Sequence, residues 1–326
     1  NGKNEQSFNI KGSYKINDNL FQNFNFNHFK ELNTQKISID ANFDDKVVIP
    51  ILNYNSNNQV INLNTILETK KDKIFFKRLN FSEGKNKISI KNLHLDNRNL
   101  KKFDNILVNT FKKNENNNDF QISYGKTIKI KGQKYDATNL TKVLDQSGSS
   151  NFLKNINKEI SINISEISNN VSDKLFNFNL IGYIEKGKFN KIVSKGEFED
   201  GKYLDISLRI DKTTNKKILE IYSDLPKPLL SNYKFFDGIY GGQLLIFSSY
   251  DDKNSSINLL IENFKVKDAP GLVKLLSLAD FGGMVDALSG DGLSFEKLDM
   301  SLKKNNQVLN LNEPYAIGPS ISILME

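Results

Sequence analysis

The stretch "EISINISEIS", Glu159–Ser168, sets the reading of the whole chain. Ile160, Ile162 and Ile164 point one way, Ser161, Asn163 and Ser165 the other, which is the signature of a strand with one dry and one wet face. The same period of two recurs in both directions from it. Upstream it appears in "KISIDANF" (Ile37, Ile39, Ala41, Phe43) and "DFQISYG" (Phe120, Ile122, Tyr124). Downstream it appears in "FNFNLIGY" (Phe176, Phe178, Leu180), "YLDISLRI" (Leu204, Ile206, Leu208, Ile210) and "SINLLIEN" (Ile257, Leu259, Ile261). Turn signals such as "EGKN", "EDGK" and "DDKN" separate many of these runs, which predicts antiparallel meanders. A register slip of one residue would move every apolar side chain to the wet side. Ile160, Ile162, Ile164, Leu204, Ile206, Leu208, Ile257, Leu259 and Ile261 are therefore expected on one common face.

Helical patterns are few. "DATNLTKVLDQS" makes a short helix capped by Asp136, with Leu140, Val143 and Leu144 on one side. "SDLPKPLLSNYKFF" starts another after Asp224, where Pro226 and Pro228 are tolerable only in the first turn. The third lies in "NFKVKDAPGLVKLLSLADFGGMVDALSGDGLSFEKLDMSL", Asn263–Leu302, with Asp268 as N-cap and Pro270 in the first turn. Its stripe runs through Leu272, Leu275, Leu276 and Ala279, resumes at Met284, Val285 and Leu288, and ends at Gly290 and Gly292. So broad an apolar side needs something to cover it.

Composition bounds the possibilities. A chain of 326 residues that is 38% hydrophobic can bury the core of one large β domain or two ordinary ones. The Asn, Lys and Ile bias reads first as AT-rich coding. With no cysteine there is no disulfide framework, thiolate metal site or cysteine nucleophile, although this does not fix the compartment. The net charge of +7, from 45 Lys and Arg against 38 Asp and Glu, is spread over pairs such as Lys70-Lys71, Lys101-Lys102, Lys112-Lys113 and Lys303-Lys304. Scattered pairs are solvated strand and turn faces, so no nucleic-acid partner is expected. No run of about 18 apolar residues is present. The chain begins at Asn1 and stops inside the alternating run "SISILME", which suggests a piece of a longer protein with a signal peptide or anchor upstream.

One-sided strands hide their dry faces in one of two ways. They close into a sandwich or barrel, or a single long sheet curls into a groove and leaves its dry face to a ligand. The second arrangement fits lipid. A strand of about eight residues spans roughly 26 Å and puts four side chains on one face, against roughly 15 Å of hydrocarbon per leaflet. Each methylene removed from water contributes about 0.8 kcal/mol.

Chemistry is sparse. His28 in "FNFNHFKEL" and His94 in "KNLHLDNRN" are strand-face or solvated histidines without a second ligand at metal spacing. Asp44-Asp45 and Asp251-Asp252 are turn residues, and no phosphate loop, nucleophile elbow or zinc-helix motif occurs. The glycines of "YGGQ" (Gly241, Gly242) and "FGG" (Gly282, Gly283) read as turns or kinks. No catalytic residue, metal or cofactor is expected.

Four segments in order resemble the C-terminal region of the AsmA-like family, closest to its YhdP branch. "SDLPKPLLSNYKFFDGIYGGQLLI" resembles the family's short helix and Gly-Gly turn into a strand, and "IENFKVKDAPGLVKLLSLADFGGMVDALSG" its strand, Asp-Ala-Pro cap and Leu-rich helix. "GDGLSFEKLDMSL" resembles the following strand entry and "LNEPYAIGPSISILME" the closing Gly-Pro strand. The resemblance spans Ser223–Glu326, extends more weakly to Ile128, and upstream is limited to composition and alternation. It implies a periplasmic protein of a diderm bacterium, held in the inner membrane by an N-terminal anchor outside this sequence.

The fold expected is therefore mostly β: an elongated, twisted, mainly antiparallel sheet curled into a groove with a few short amphipathic helices. Residues 1–126 would form an N-terminal β-rich segment of the groove and 127–326 the AsmA-like C-terminal β region with a capping helix at 269–289. The function expected is non-catalytic, bridge-type transfer of phospholipid or another acyl lipid between inner and outer membranes. The groove lining would be Ile160, Ile162, Ile164, Phe176, Phe178, Leu180, Leu204, Ile206, Leu208, Ile257, Leu259 and Ile261. Outer-membrane or periplasmic proteins would be further partners. The alternatives are a structural or assembly protein of the envelope with a closed β core and, more weakly, a hydrolase with a cryptic site.

Overall fold

The computed structural model describes residues 5–15, 21–57, 59–141, 153–171, 173–231, 233–251, 254–267, 292–305, 308–319 and 322–324. The expected capping helix at 269–289 lies outside the described residues, as does most of the helix expected after Asp136. The helix expected after Asp224 is a single turn, α1 (Lys227–Leu230), entered through Pro226 with Pro228 inside its first turn.

Almost everything else is strand. The chain divides into two compact units, Asn1–Ser168 with Tyr183–Phe189, and Asn169–Gly182 with Asn190–Glu326. The sequence boundary at 126/127 falls in the turn between two strands of the first unit. That unit holds β1 (Glu5–Tyr14), β2 (Gln22–Glu31), β3 (Thr34–Phe43), β4 (Val48–Ile49), β5 (Tyr54–Asn55), β6 (Ile61–Lys70) and β7 (Lys73–Glu83). It continues with β8 (Asn86–Asp96), β9 (Asn99–Lys102), β10 (Asn105–Lys112), β11 (Glu115–Tyr124), β12 (Thr127–Asp136) and β13 (Lys158–Ser168). β14 (Leu175–Glu185) and β15 (Lys188–Glu197) are divided between the units. The second unit adds β16 (Tyr203–Ile210), β17 (Lys217–Ser223), β18 (Ile239–Tyr250), β19 (Asn254–Val266), β20 (Leu293–Asn305), β21 (Val308–Ile317) and β22 (Ser322–Leu324).

Pairing follows chain order. In the first unit the ladder runs β1, β2, β3, β6, β7, β8, β10, β11, β12, antiparallel throughout, then β12 to β13 in parallel. A parallel pair needs a crossover rather than a hairpin, and residues 137–157 supply its length. In the second unit β15 to β22 form an antiparallel meander. Among the described residues neither ladder returns to its first strand.

Direct cross-strand partners share a face, so the registers convert alternation into rows. Midway along three strands of the second unit the phase of alternation shifts. The apolar inward positions are Leu244 then Ile239 on β18, Ile261 then Phe264 on β19, and Leu298 then Phe295 on β20. The registers skip Gly242, Asn263 and Glu296 at one level yet stay constant across it, so the three strands change phase together and one face is apolar on both sides. Phe264 and Phe295 stack just beyond it, centroids 5.3 Å apart. Gly242 makes the change of phase possible: its φ is +81°, and a Cβ there would meet the Glu262 carbonyl oxygen at 2.6 Å and the Phe264 Cβ at 2.8 Å. Gly242→Ala is expected to cost about 2–4 kcal/mol from left-handed strain plus overpacking, read as a lowered denaturant midpoint. An unchanged midpoint would show that this level of the sheet relaxes freely.

Candidate apolar binding face

In the first unit one row crosses ten strands by direct partnership. It runs Ile10, Phe26, Ile39, Thr65, Leu79, Ile90, Ile106, Ile122, Ile130, Ile162. Nine of the ten side chains are aliphatic or aromatic, and nine interstrand gaps at about 4.8 Å carry the row over roughly 43 Å. Ile10 is exposed and Thr65 buried, while the eight others are half-buried. The neighbouring row runs Gly12, Phe24, Ala41, Leu63, Phe81, Ile88, Val108, Phe120, Gly132, Ile164.

An arm between β3 and β6 covers the middle of this second row. It is built from the β4–β5 pair around a 3-10 turn, Pro50–Leu52. Its Leu52 and Tyr54 form a buried cluster with Ile61, Phe81, Ile88 and Val108, and the Tyr54 and Phe81 rings meet edge-on at 5.7 Å.

One step further along the strands the same face turns polar, and that polar row holds the arm down. Tyr54 donates its hydroxyl proton to Glu83 Oε2 at 2.6 Å, the Asn57 N–H donates to Glu83 Oε1 at 2.5 Å, and Asn86 Nδ2 donates to Glu83 Oε2 at 3.2 Å. Asn118 Nδ2 donates to the Leu52 carbonyl at 2.7 Å, and Asn53 Nδ2 to Asp136 Oδ2 at 2.8 Å. Burial, with the bond to Glu83, pushes the Tyr54 hydroxyl well above its ordinary range and keeps it a donor.

Burial also pushes the Asp136 carboxyl up. Bonds from Thr138, Asn117 and Asn53 outweigh that and leave it below its ordinary value. A depressed folded value stabilises fully above the unfolded pKa of about 3.9 and loses that contribution as pH falls through the folded value. Asp136→Asn is therefore expected to flatten the stability profile below about pH 4, as seen by urea midpoints against pH. An unchanged acid limb would remove Asp136 from this role.

In the second unit, Leu204, Ile206, Leu208, Ile257, Leu259 and Ile261 lie on one face. The registers link them through three rows: Leu204–Ser223–Leu244–Ile261–Leu298–Ala316, Ile206–Ile221–Ile246–Leu259–Met300 and Leu208–Leu219–Ser248–Ile257–Leu302. Leu204, Leu208, Leu259 and Ile261 are buried, Ile206 and Ile257 half-buried. A core of twelve buried residues, including Leu244 and Ile261 at 0% exposure, gathers on this face with Leu230 of α1.

In the first unit, Ile160, Ile162 and Ile164 sit opposite Ile128, Ile130 and Gly132. Ile160 and Ile164 are buried and Ile162 half-buried. On β14, Phe178 and Leu180 are buried but Phe176 only half so. Asn177 has φ +51° and breaks the alternation there, so that Leu175 is buried instead. The cap positions Leu272, Leu275, Leu276, Ala279, Met284, Val285 and Leu288 are outside the described residues.

The sequence reading placed residues 1–126 in the groove, but of the first-unit rows it named only Ile162 and Ile164 as lining. Their signal was present in the alternation of "KISIDANF" and "DFQISYG". The arm gave no periodic signal at all. Both histidines lie on strands beside phenylalanines, His28 at 4.8 Å from Phe8 and His94 at 4.2 Å from Phe75. Among the described residues no three His, Cys, Asp or Glu side chains gather at metal-binding distance, and no helix is long and apolar enough to cross a membrane. No protein-family model, curated protein or solved structure matches the chain.

Proposed function

We propose that this chain is a non-catalytic lipid-transfer protein of the bridge type, in which the apolar face of the sheet is the floor of a groove for acyl chains. The observation that carries the reading is the half-buried row of the first unit. Two packed sheets bury their facing side chains as an interior does. Eight of the ten strands here, six of them in unbroken succession from β7 to β13, instead offer an aliphatic or aromatic residue that is neither covered nor fully open to water. An apolar surface of that extent implies an apolar ligand. Contact with it is non-directional, so lipid slides along the row without crossing a specific site, and each shielded methylene is worth about 0.8 kcal/mol.

The resemblance to the AsmA-like family supports phospholipid as cargo, a periplasmic location, an inner-membrane anchor and a route to the outer membrane. A second reading, an envelope assembly protein with a closed core, is favoured by the twelve-residue core of the second unit, where the central side chains are fully covered.

Purification in mild detergent followed by mass spectrometry of extracted lipid separates the two. Co-purifying phospholipid that exchanges with labelled lipid from vesicles is the expected result. A folded protein that carries no lipid and takes none up would leave the closed-core reading standing.

A further inference from the structure

We infer that the arm between β3 and β6 is the stop against which lipid tails end, so that lipid is held in the first unit in one orientation, methyl ends at the arm and phosphate headgroups at the opposite ends of the strands. This rests on the lipid-groove reading and gives the groove a polarity across its width.

Three observations carry it. The first is closure on one side. Leu52 and Tyr54 cover Phe81, Ile88 and Val108, and immediately behind them the face becomes the polar row of Glu83, Asn86 and Asn118, in which Glu83 and Asn118 bond the arm and Asn86 bonds Glu83 and the Phe111 N–H. A tail running along a strand toward the arm meets packed side chains and then fixed polar groups, and goes no further.

The second is openness on the other side. From the central row toward the far ends of β7 and β8 the face stays apolar and half-buried, through Phe76 opposite Leu93 and then Ile74 opposite Leu95. The seven residues from Leu79 to Lys73 span about 20 Å, enough for the roughly 15 Å of hydrocarbon in one leaflet to lie between arm and rim.

The third is charge at that rim. Lys70, Lys71 and Lys73 of the β6–β7 turn, and Arg98, Lys101 and Lys102 around β9, put six cations there against Glu68, Asp72, Asp96 and Asp104. One of these carboxylates, Asp96, is within 3.7 Å of Lys101. The registers put Lys70, Lys73 and Lys102, with Phe75 and His94, on the face behind Ile74 and Leu95, where they line a cavity with Lys101, Glu68 and Asp96, so the cations flank the rim from its outer side and a headgroup at the strand ends meets a net positive edge.

The test uses the full chain and two photoreactive phospholipids, one with a diazirine at the end of an acyl chain and one with it on the headgroup. Each is loaded from vesicles, irradiated, and its adducts mapped by peptide mass spectrometry. The tail-end probe is expected to label the peptide carrying Leu52 and Tyr54 at least fivefold more than the rim peptides, and the headgroup probe to do the reverse at Lys70–Lys73 and Arg98–Lys102. Inverted labelling, or equal labelling by both probes, would overturn the orientation while leaving the groove reading intact. Absence of label from the whole apolar face would overturn both. Charge is tested separately with Lys70→Glu/Lys73→Glu/Lys101→Glu. At least a threefold loss of headgroup adducts with arm adducts retained is expected, and unchanged headgroup labelling would remove the cationic rim from the proposal.

Discussion

Aspartate at both Ile90 and Ile122 is expected to reduce lipid transfer between vesicles at least tenfold while the protein stays folded. Both residues belong to the half-buried central row, Ile90 on β8 and Ile122 on β11, each facing Ile106 of β10. A carboxylate there keeps part of its hydration from the open side, so each substitution costs stability about 1–2 kcal/mol, mostly through lost apolar contact. A lipid tail sliding past must strip that hydration, which costs several kcal/mol in an apolar setting. Val108→Asp supplies the contrast, because Val108 is buried beneath the arm. There the charge has no water, and unfolding rather than a transport defect is the expected outcome. If Ile90→Asp/Ile122→Asp unfolds as readily as Val108→Asp, the central row is a closed core. If the double variant folds and still transfers lipid, the groove reading fails.

The contrast between these two positions marks what was legible in the sequence. Alternation alone put Ile160, Ile162 and Ile164 on one side, and likewise Leu204, Ile206 and Leu208, because the side-chain period of a strand is a local property. Predominant antiparallel pairing was also legible, since short turn signals admit little else. What a strand meets across its dry face is not local. Ile90 and Ile88 read alike in "NKISIKN", yet one is half-buried and the other lies under Leu52 and Tyr54, placed there by a segment more than thirty residues earlier. The arm, "VIPILNYN", has no period of two or 3.6, and its anchors are single Asn, Glu and Asp residues that read as ordinary polar strand positions. Breaks in the alternation escaped for a similar reason. Asn177 in a left-handed conformation moves burial from Phe176 to Leu175, which a strict alternation cannot show. The parallel pairing of β12 with β13 needed knowledge of where the intervening residues return.

Replacing Glu83 by leucine is expected to cost stability without unfolding the protein. The Glu83 carboxyl group is fully buried and accepts from the Tyr54 hydroxyl, the Asn57 N–H, Asn86 Nδ2 and, at 3.4 Å, the Gln59 N–H. Leucine fills a similar volume but accepts nothing, so four donors lose their partner in a place with little water, at about 1–3 kcal/mol for each that stays unsatisfied. Partial relaxation of the arm recovers some of this, and a net cost of about 3–5 kcal/mol is expected. For a unit of this size that is a fall in thermal midpoint of about 8–15 °C. Tyr54→Phe removes only one of the four donors and leaves the ring against Phe81, so about 1–2 kcal/mol is expected. Because both variants act on one bond, the pair Tyr54→Phe/Glu83→Leu should cost less than the sum of the singles, by about 1 kcal/mol. Strict additivity would mean that the two residues stabilise the unit independently. An unchanged midpoint for Glu83→Leu would show that the arm is held by Leu52 and Tyr54 packing alone. In that case the polar row behind it is not a clamp, and loosening the arm would require Tyr54→Ala, which empties the apolar contact with Phe81 and Val108 instead.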